Sequence, residues 1–400
     1  MLTLGVIFGG RSVEHEVSVI SAVQAIKSLR EFKYEVVPIY ITKQGEWYTG
    51  PGMTNIANYR DIKKLLSWGE KVHMSTNYGD FNLYRDKAGV FKSRIVAKLD
   101  VIFPILHGGT GEDGSIQGLF ELIGIPYVGS DTLASAIAMD KVSAKLILRA
   151  AGIPVVNFVW FTEKDWHSQK ALLQPKIEEL GYPLIVKPAN LGSSVGITVV
   201  KSAENLEMAI DMAGRFAEKI LVEKMVSDLV EINCSVTGHY HDCAPSVCEQ
   251  PVKSGDILSY KDKYMSGGKG GKNSGKSSGM ASVQRIIPAN ISDDLNKQVQ
   301  DMAVETFKTV GLAGVVRIDF LFDNSSKTLF VNEINTIPGS LSFYLWEYTG
   351  KKYVDLLDEL IANAVKLRNN KNNFMVNYNQ NIFAMGGGAG LKMGGPKIRK

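Results

Sequence analysis

The chain has 400 residues and a net charge of +4, with 45% hydrophobic and 22% charged residues. A chain of this size and composition can build a large core and suggests two or three globular domains. No apolar run reaches the ~20 residues of a membrane span, the apolar N-terminus lacks the basic flank of a signal peptide, and the modest charge does not favour a nucleic-acid partner. We therefore expect a cytoplasmic protein without a membrane partner.

The cysteine content agrees with that compartment. Cys234, Cys243 and Cys248 are an odd number of thiols and contain no CxxC pair. We expect buried, reduced cysteines and no zinc site.

Residues 1–138 alternate strand and helix signals. The apolar run over 4–8 ends in two glycines, as a buried parallel strand does where it enters a turn. The other predicted elements are a helix over 18–29, strands over 34–41 and 101–106, and an insertion of short hairpin pieces over 45–95. We interpret this segment as an α/β domain with a doubly wound parallel sheet, whose ligands bind at the carboxyl ends of the strands.

Two further α/β segments and a tail follow. The middle segment, 139–228, is entered through a helix predicted over 136–151, with strands over 182–187, 195–200 and 220–225 and a helix near 203–214. The third segment, 229–367, is predicted to hold a strand over 230–238, an amphipathic helix around 295–310 and a pair of acidic strands. Residues 368–400 are rich in Asn, Gly and Lys, and we interpret them as a flexible tail; binding of RNA or another anionic surface is the alternative.

The two acidic strands carry three oxygen ligands. Asp319 lies on the first strand, and Glu333 and Asn335 lie on the second, joined by a turn over 324–327. Residues two apart on a strand point to the same face, so Glu333 and Asn335 face the same way. Carboxylate oxygens are ligands that Mg²⁺ prefers, and a cation relieves the repulsion between the acids. The alternative is a hairpin whose acids face solvent.

A glycine-rich turn between two predicted strands favours phosphate binding. Gly192 and Gly196 permit close backbone approach, Ser193 and Ser194 add hydroxyl donors, and Lys187 supplies a charge at the strand end. An ordinary hairpin turn with a solvated lysine is the alternative.

The strand over 220–226 favours nucleotide binding less strongly, and the loop over 259–281 suggests a lid. Glu223 and Lys224 interrupt an apolar run, and Glu223 with the backbone near Val226 suits an adenine, although an edge strand with a surface ion pair remains open. Lys263 and Tyr264 lie in the loop, which is rich in Gly, Lys and Ser and cannot pack a core. It suits a lid that excludes water from a reactive intermediate, with a disordered surface insertion as the alternative.

Two polar side chains follow strand ends in the first segment. Glu14 opens a helix, where it can hold a substrate ammonium or merely stabilise the first turn. His107 begins a glycine-rich cluster, where it can orient an acid or carry charge near a developing phosphate.

These motifs, taken together, carry a family resemblance over about residues 2–367. GGRSVEHEVS, HGGTGEDGSIQG, AMDK, VKPANLGSSVG, DKY, RIDF and NEINTIPG occur in that order. The chain resembles the ATP-grasp superfamily and, within it, the D-alanine–D-alanine ligases. The resemblance implies a fold of three α/β domains, with the nucleotide held between the central and C-terminal ones. It also implies ATP, two Mg²⁺ ions (with Mn²⁺ as a possible substitute), D-alanine as substrate, a homodimer and a role in peptidoglycan synthesis.

The resemblance implies a role for each matching residue. Glu14 would hold the ammonium of the first D-alanine, and Ser193 and Tyr264 would link to it and close the lid. Arg317 and the turn at Gly339 would stabilise the oxyanion. The metal ligands would be Asp319, Glu333 and Asn335. The nucleotide would be bound by Lys141, Lys187, Ser194, Glu223, Lys224, the backbone near Val226, Glu231 and Lys263.

One departure from the family bears on the second substrate. Where the family usually places a serine-leucine pair that receives the second carboxylate, this chain has Tyr344 and Leu345. A tyrosine hydroxyl can still donate to a carboxylate, but from farther out. Alternatives to a D-alanine–D-alanine ligase are therefore a ligase that takes D-serine or another amino acid second, and a non-catalytic ATP-grasp nucleotide-binding protein. The Lys263-Tyr264 pair resembles the dipeptide-forming members, which argues against D-lactate.

Overall fold

The computed structural model describes residues 1–87, 93–192, 195–252 and 285–374. The predictions for Ser193, Ser194, Lys263, Tyr264 and the whole loop 259–281, and for the tail beyond 374, lie outside these ranges. No helix among the described residues is long and apolar enough to cross a membrane.

The first part of the chain forms a mixed sheet. Its elements are β1 (Leu2–Gly9), α1 (His15–Ser28), β2 (Tyr34–Ile41), β3 (Trp47–Thr49), α2 (Ile62–Trp68), β4 (Glu70–Met74), β5 (Asn82–Arg85), β6 (Ile95–Lys98), β7 (Val101–Ile105) and α3 (Ser115–Ile123). The strand order is β6-β5-β4-β3-β2-β1-β7. The predicted parallel pairing is confirmed for β2-β1-β7, whereas the hairpin pieces of the insertion add antiparallel strands to the same sheet.

A turn at the end of β1 brings the predicted site residues Glu14 and His107 to one edge of this sheet. Gly9 has φ +93°, and a Cβ there would lie 2.2 Å from the carbonyl oxygen of Ile41, so the turn requires glycine. The hydroxyl of Ser18 accepts from the Gly9 N–H (2.7 Å) and donates to the carbonyl of Ile105. The ends of β1 and β7 are thereby joined, and the residues that follow them lie together.

The middle of the chain forms a smaller antiparallel sheet. Its elements are α4 (Thr132–Met139), α5 (Lys141–Ala150), β8 (Phe158–Thr162), α6 (Glu163–Glu178), β9 (Leu184–Pro188), β10 (Thr198–Val200), α7 (Leu206–Gly214) and β11 (Lys219–Lys224). The strand order is β10-β9-β11-β8. Apolar side chains from α6, α7 and the sheet form its core, including Trp166, Ile177, Val186 and Ile210.

The single helix predicted over 136–151 is wrong, because Asp140 divides it. Asp140 has extended backbone (φ −88°, ψ 102°), and its carboxylate accepts from the N–H of Ser143 (2.8 Å) as the N-cap of α5. The same carboxylate pairs with Lys219 (2.6 Å). The break makes Lys141 the first residue of α5, where its N–H donates to the carbonyl of Ala189 (2.9 Å).

The last part contains the acidic strands. Its elements are β12 (Leu229–His239), β13 (Asp242–Pro251), β14 (Arg285–Ile286), α8 (Asp293–Val310), β15 (Gly314–Asp323), β16 (Thr328–Asn335), α9 (Phe343–Glu347) and α10 (Tyr353–Asn372). The strand order is β14-β13-β12-β15-β16, all antiparallel. The predicted turn over 324–327 joins β15 to β16, and Cys234 and Cys248 face each other on β12 and β13 as free, buried thiols.

Helix α10 packs against the first sheet and extends beyond the predicted boundary of the tail. Leu356 and Leu360 share a core with Leu4 and Val6 of β1. Arg368, which the sequence analysis assigned to the tail, lies 3.4 Å from Glu121 of α3. The helix continues to Asn372 because these contacts hold its last turns.

Candidate active site

A cavity is lined by residues from all three parts of the chain. The predicted site residues that line it are Glu14, His107, Lys141, Lys187, Glu223, Lys224, Val226, Glu231, Arg317, Asp319, Glu333, Asn335 and Gly339. Tyr344 and Leu345 are not among the lining residues. Residues separated by more than 300 positions in the sequence thus meet at one place, and their individual roles remain predictions.

The three predicted metal ligands are neighbours on β15 and β16. Asp319 pairs directly with Glu333, and Arg317 pairs with Asn335. The Asn335 amide nitrogen lies 3.2 Å from Oδ2 of Asp319. A bulge after Asp319 leaves Asn332 as an extra residue on β16, and its side chain also reaches the cavity.

This donor set fits a magnesium ion. It consists of two carboxylates and one amide, and half a turn of the Asn335 amide presents its oxygen in place of its nitrogen. No three His, Cys, Asp or Glu side chains cluster as a metal site within the described ranges, which agrees with a set that contains only two acids.

Arg317 is fixed beside these acids. Its Nε and Nη2 donate to the two oxygens of Asp319 at 2.6 and 2.8 Å, a bidentate pair. Although burial opposes its charge, Asp319 raises the pKa of Arg317 well above its ordinary value. A permanent, oriented cation therefore lies next to the predicted metal site.

Lys141 connects the central domain to the acidic strands. Its ammonium donates to the carbonyl of Leu191 (2.9 Å) in the glycine-rich turn and lies 3.6 Å from Oε2 of Glu333. The break at Asp140 makes this contact possible, since it starts α5 at the edge of the cavity.

Lys187 and Glu223 form a buried cluster with a third residue that the sequence analysis missed. Glu223 pairs with Lys187 through Oε2 and with Lys145 through Oε1, 2.7 Å from Nζ. Lys187 Nζ also lies 3.4 Å from the side-chain oxygen of Asn332. Glu223 was predicted as an adenine acceptor, but in this arrangement its carboxylate holds two lysines.

Lys224 lies at the opposite wall. Its ammonium donates to the carbonyls of Gly181 (2.8 Å) and Tyr182 (3.1 Å). The side chain therefore fixes the start of β9 against the end of β11. The backbone near Val226 and the side chain of Glu231 on β12 complete this wall.

Glu14 lies at a junction of two glycine turns. A Cβ on Gly108 would lie 2.6 Å from Oε2 of Glu14, and a Cβ on Gly192 would lie 3.2 Å from it. The central domain thus reaches the first domain at the residue that precedes Ser193. This closeness supports the link predicted between Glu14 and that turn.

Glu112 is a second carboxylate near Glu14 to which the sequence analysis gave no role. It accepts hydrogen bonds from the N–H groups of Gly108 (2.6 Å) and Ile337 (3.0 Å). Burial and then the Glu14 carboxylate raise the pKa of Glu112 to about 7. Two carboxylates at this end of the cavity suit an ammonium group.

His107 holds the turn that precedes Gly339. Its Nδ1–H donates to the carbonyl of Ile337 (2.7 Å), and its Nε2 accepts from the hydroxyl of Ser21 (2.9 Å). Burial lowers the pKa of His107, so the ring is neutral at pH 7. Its contacts are those of a positioning residue, not of a cation near phosphate.

The backbone after Gly339 is strained and held from α1. Ser340, Leu341 and Ser342 all have positive φ, between 47° and 52°, which costs non-glycine residues about 1–3 kcal/mol each. The N–H of Ser340 donates to Ser21 Oγ (2.9 Å), and its hydroxyl donates to Gln24 (2.8 Å). The Gly339 turn is therefore fixed in place before any substrate binds.

The prediction that Tyr344 receives a substrate carboxylate does not agree with the structure. Its side chain is buried under the cavity wall, and its hydroxyl lies 3.5 Å from Oε1 of Glu249. Leu345 is fully buried. The guanidinium of Arg285 lies 4.1 Å from the centroid of the Tyr344 ring and forms that part of the wall instead.

Comparisons with known proteins agree with this architecture. The family model described as "D-ala D-ala ligase N-terminus" matches residues 3–130, and the one described as "D-ala D-ala ligase C-terminus" matches 147–362. A D-alanine–D-alanine ligase from Thermoanaerobacter sp. (strain X514) is 41% identical over 379 residues, which cover 92% of this chain and 98% of that protein. One from Bacillus velezensis is 38% identical, with 89% and 96% covered.

Solved structures give the same result. The D-alanine-D-alanine ligase from Coxiella burnetii matches with a TM-score of 0.76 and 29% identity, covering 93% of this chain and 96% of that one. The VanG D-Ala:D-Ser ligase from Enterococcus faecalis matches with a TM-score of 0.76 and 32% identity, covering 91% and 99%. The predicted ATP-grasp fold is confirmed, and the chain belongs to the D-alanine–D-alanine ligase family.

Proposed function

We propose that this protein is an ATP-dependent D-alanine–D-alanine ligase that supplies D-alanyl-D-alanine for peptidoglycan precursors in the cytoplasm. The observation that carries the proposal is one cavity in which the Arg317–Asp319 pair, with Glu333 and Asn335, faces the carboxylates of Glu14 and Glu112. One end suits phosphate and metal, and the other suits an ammonium.

The first step is phosphoryl transfer. An oxygen of the first D-alanine carboxylate attacks the γ-phosphorus of ATP, the bond to the ADP oxygen breaks, and an acyl phosphate forms. Lys187 and Lys141 supply positive charge for the nucleotide phosphates, while Glu14 holds the ammonium of the amino acid.

The predicted metal ligands belong to the phosphoryl-transfer step. Asp319, Glu333 and Asn335 are the residues that would hold Mg²⁺, which when bound neutralises charge on the phosphate oxygens. Lys141 contacts both the carbonyl of Leu191 and the carboxylate of Glu333, and it thereby keeps Leu191 near the predicted metal ligands.

The second step is acyl transfer. The ammonium of the second amino acid gives a proton to water, and the resulting amine attacks the acyl carbon. The tetrahedral intermediate then breaks its C–O bond to the phosphate, loses the second amine proton to water and releases inorganic phosphate and the dipeptide. Arg317 and the backbone at Gly339, which both line the cavity, would stabilise the negative charge that develops in this intermediate. His107, through Ile337, and Ser21, through Ser340, keep the Gly339 turn in position for this step.

A ligase with D-serine as its second substrate is the second candidate. Two observations favour it. Tyr344 and Leu345, which stand where the family usually has a serine-leucine pair, are buried and do not line the cavity, so the second substrate meets a different wall. One structural relative is named as a D-Ala:D-Ser ligase. We further propose a homodimer, which light scattering of the purified protein tests directly.

Phosphate release tests the proposal. The protein is mixed with ATP, Mg²⁺ and D-alanine alone, and then with D-alanine and each of a panel of second D-amino acids. We expect release with D-alanine alone, and D-alanyl-D-alanine as the product by mass spectrometry. Release only when D-serine is added would favour the second candidate. ATP binding without release under any condition would identify a non-catalytic protein.

A further inference from the structure

Two guanidinium groups reach the cavity from the C-terminal sheet. Arg317 does so from β15, and Arg285 does so from β14 at the edge of the sheet. Arg317 has a role in the proposed mechanism, whereas Arg285 has none. A guanidinium at the wall of a substrate cavity can bind an anionic group of a substrate while it keeps its own ion pair, because it has several N–H donors.

Glu249 fixes the position of Arg285. Nη1 of Arg285 lies 3.0 Å from Oε2 of Glu249, and their side chains are 10% and 3% exposed. The other oxygen of Glu249 accepts from the amide of Asn233 (3.0 Å). An arginine that is already ordered loses little side-chain entropy when it binds a further anion.

Tyr344 supports the same guanidinium from another side. The guanidinium carbon lies 4.1 Å from the ring centroid, which is the geometry of a cation–π contact. Tyr344 is also close enough to both Arg285 and Arg317 for each charge to act on its hydroxyl. The tyrosine that stands in place of the family's usual serine is thus a platform for Arg285, located between the two arginines.

The register of the sheet places Arg285 on a definite side of the reaction centre. Glu249 pairs with Asn233, and Asn233 pairs with Asp319, so the acids that hold the two arginines lie in one row across β13, β12 and β15. Glu333 continues that row on β16, at the opposite edge. Arg285 therefore lies on the side of Arg317 that is away from the metal ligands.

We propose that Arg285 binds the carboxylate of the second amino acid, with Glu249 and Tyr344 as its positioning residues. This assignment rests on the proposed function. The attacking amine must reach the acyl carbon beside Arg317, and in an α-amino acid the carboxylate is attached to the carbon that bears the amine. The planar guanidinium of Arg285 offers this carboxylate a charged, oriented partner next to that point.

The test compares two acceptors that differ only in the carboxylate. D-Alaninamide keeps the amine but lacks the carboxylate, and it cannot replace the first substrate because it has no carboxylate oxygen to attack the γ-phosphorus. With D-alanine as donor, we expect the wild-type protein to prefer D-alanine over D-alaninamide as acceptor by about 10- to 100-fold in kcat/KM, the range of a hydrogen bond to a charged group. We expect Arg285→Met to lose most of this preference and to raise the KM for the second D-alanine, while the KM for ATP stays unchanged.

Conservative and control variants sharpen the result. Arg285→Lys keeps the charge but not the planar fork, so we expect it to retain part of the preference. Arg149 is the matched control, because its guanidinium lies 4.2 Å from the ring of Phe158 but outside the cavity lining. Arg149→Met should keep the wild-type preference.

A folding defect does not obscure the outcome. Arg285→Met leaves Glu249 buried without its ion-pair partner, so the double variant Arg285→Met/Glu249→Gln removes both charges together. If the wild-type protein makes no dipeptide, the proposed function fails. If it makes the dipeptide and the double variant still prefers D-alanine as strongly as the wild type, the assignment of Arg285 alone is wrong.

Discussion

The ammonium of Lys145 lies 2.7 Å from Oε1 of Glu223, inside the protein, and the other oxygen of the same carboxylate pairs with Lys187. All three side chains are less than a tenth exposed. Burial alone would raise the pKa of Glu223, yet the two ammonium groups hold it below its ordinary value, while burial lowers the pKa of Lys145. Glu223 is therefore the counter-ion that allows Lys187 to stand at the cavity wall.

This cluster predicts unequal effects for its members. Glu223→Gln leaves two buried ammonium groups without a counter-ion, and we expect it to lower the free energy of unfolding by about 3–5 kcal/mol. Lys145→Met leaves the neutral Lys187–Glu223 pair and should lower it by less than half as much. It should also weaken ATP binding, because Lys187 is then the sole partner of Glu223 within the cluster. Urea titration and nucleotide titration measure the two quantities. Equal losses of stability would contradict this interpretation.

Glu333→Gln tests the metal ligands. The substitution keeps the shape and the fold but removes one of the two carboxylates, and we expect phosphate release to fall by at least about 100-fold, the effect of losing one group that stabilises transition-state charge. Chelation of divalent cations should abolish release, and either Mg²⁺ or Mn²⁺ should restore it.

A second carboxylate serves as the control for Glu333. Glu16 is exposed, pairs with Lys43 on the surface and does not line the cavity. Glu16→Gln should therefore leave the rate unchanged. Near-normal turnover of Glu333→Gln would remove it from the metal site.

Gly192→Ala tests the junction between the domains. The new Cβ would lie 3.2 Å from Oε2 of Glu14, so one of the two must move by a few tenths of an ångström. We expect the KM for the first D-alanine to rise by about 10-fold, because misplacement of a positioning group on this scale disturbs substrate orientation. Gly118→Ala in α3 meets no atom closer than 3.9 Å and should behave as wild type in the same initial-rate measurement.

The pH dependence of D-alanine binding tests Glu112. Its pKa is raised to about 7, so the group gains a proton as the pH falls from 8 to 6, and that end of the cavity loses one negative charge. D-Alanine keeps its ammonium over this range, so we expect kcat/KM for the first substrate to fall about 5-fold, which corresponds to ~1 kcal/mol of lost attraction.

Glu112→Gln shows whether Glu112 or another group causes this pH dependence. Gln cannot ionise, and it keeps one acceptor oxygen, for the N–H of Gly108 or for that of Ile337, which bind different oxygens of Glu112. The variant should show the lower kcat/KM for the first D-alanine at both pH 6 and pH 8. A variant that retains the wild-type pH dependence would assign the titration to another group.

That Asp319, Glu333 and Asn335 lie together could be predicted from the sequence because the signal is local, and their role as metal ligands stays a prediction. Alternation on two strands, joined by a four-residue turn, fixes which side chains share a face, and the observed pairing of Asp319 with Glu333 agrees with it. The parallel strands of the first domain carry the same kind of signal, a continuous apolar run that ends at glycine.

Other site residues carry no local signal. Lys145 lies on the buried face of an amphipathic helix, although a lysine in a helix ordinarily indicates a solvent-exposed position. Its burial is explained only by its ion pair with Glu223 on a neighbouring strand. Glu249 and Arg285 meet through the register of an edge strand, which a single sequence does not define. The left-handed backbone of Ser340, Leu341 and Ser342 contradicts the preference of these residue types and is imposed by contacts with α1.

The helix break at Asp140 had a local signal in the sequence, but a second local signal opposed it. The apolar periodicity on either side of it is continuous, which favoured one helix, although Asp is a common N-cap and Lys141 follows it. The N-cap preference of Asp therefore indicated the helix break, but the continuous apolar periodicity led to the prediction of a single helix.

The transfer of one oxygen atom tests the central claim most directly. D-Alanine labelled with ¹⁸O in its carboxylate is incubated with the protein, ATP and Mg²⁺, and the released phosphate is analysed by mass spectrometry. An acyl phosphate intermediate requires one labelled oxygen in each phosphate and an equal amount of D-alanyl-D-alanine. Phosphate that carries no label, or release without dipeptide, would contradict the assignment of this cavity as the site of a ligase.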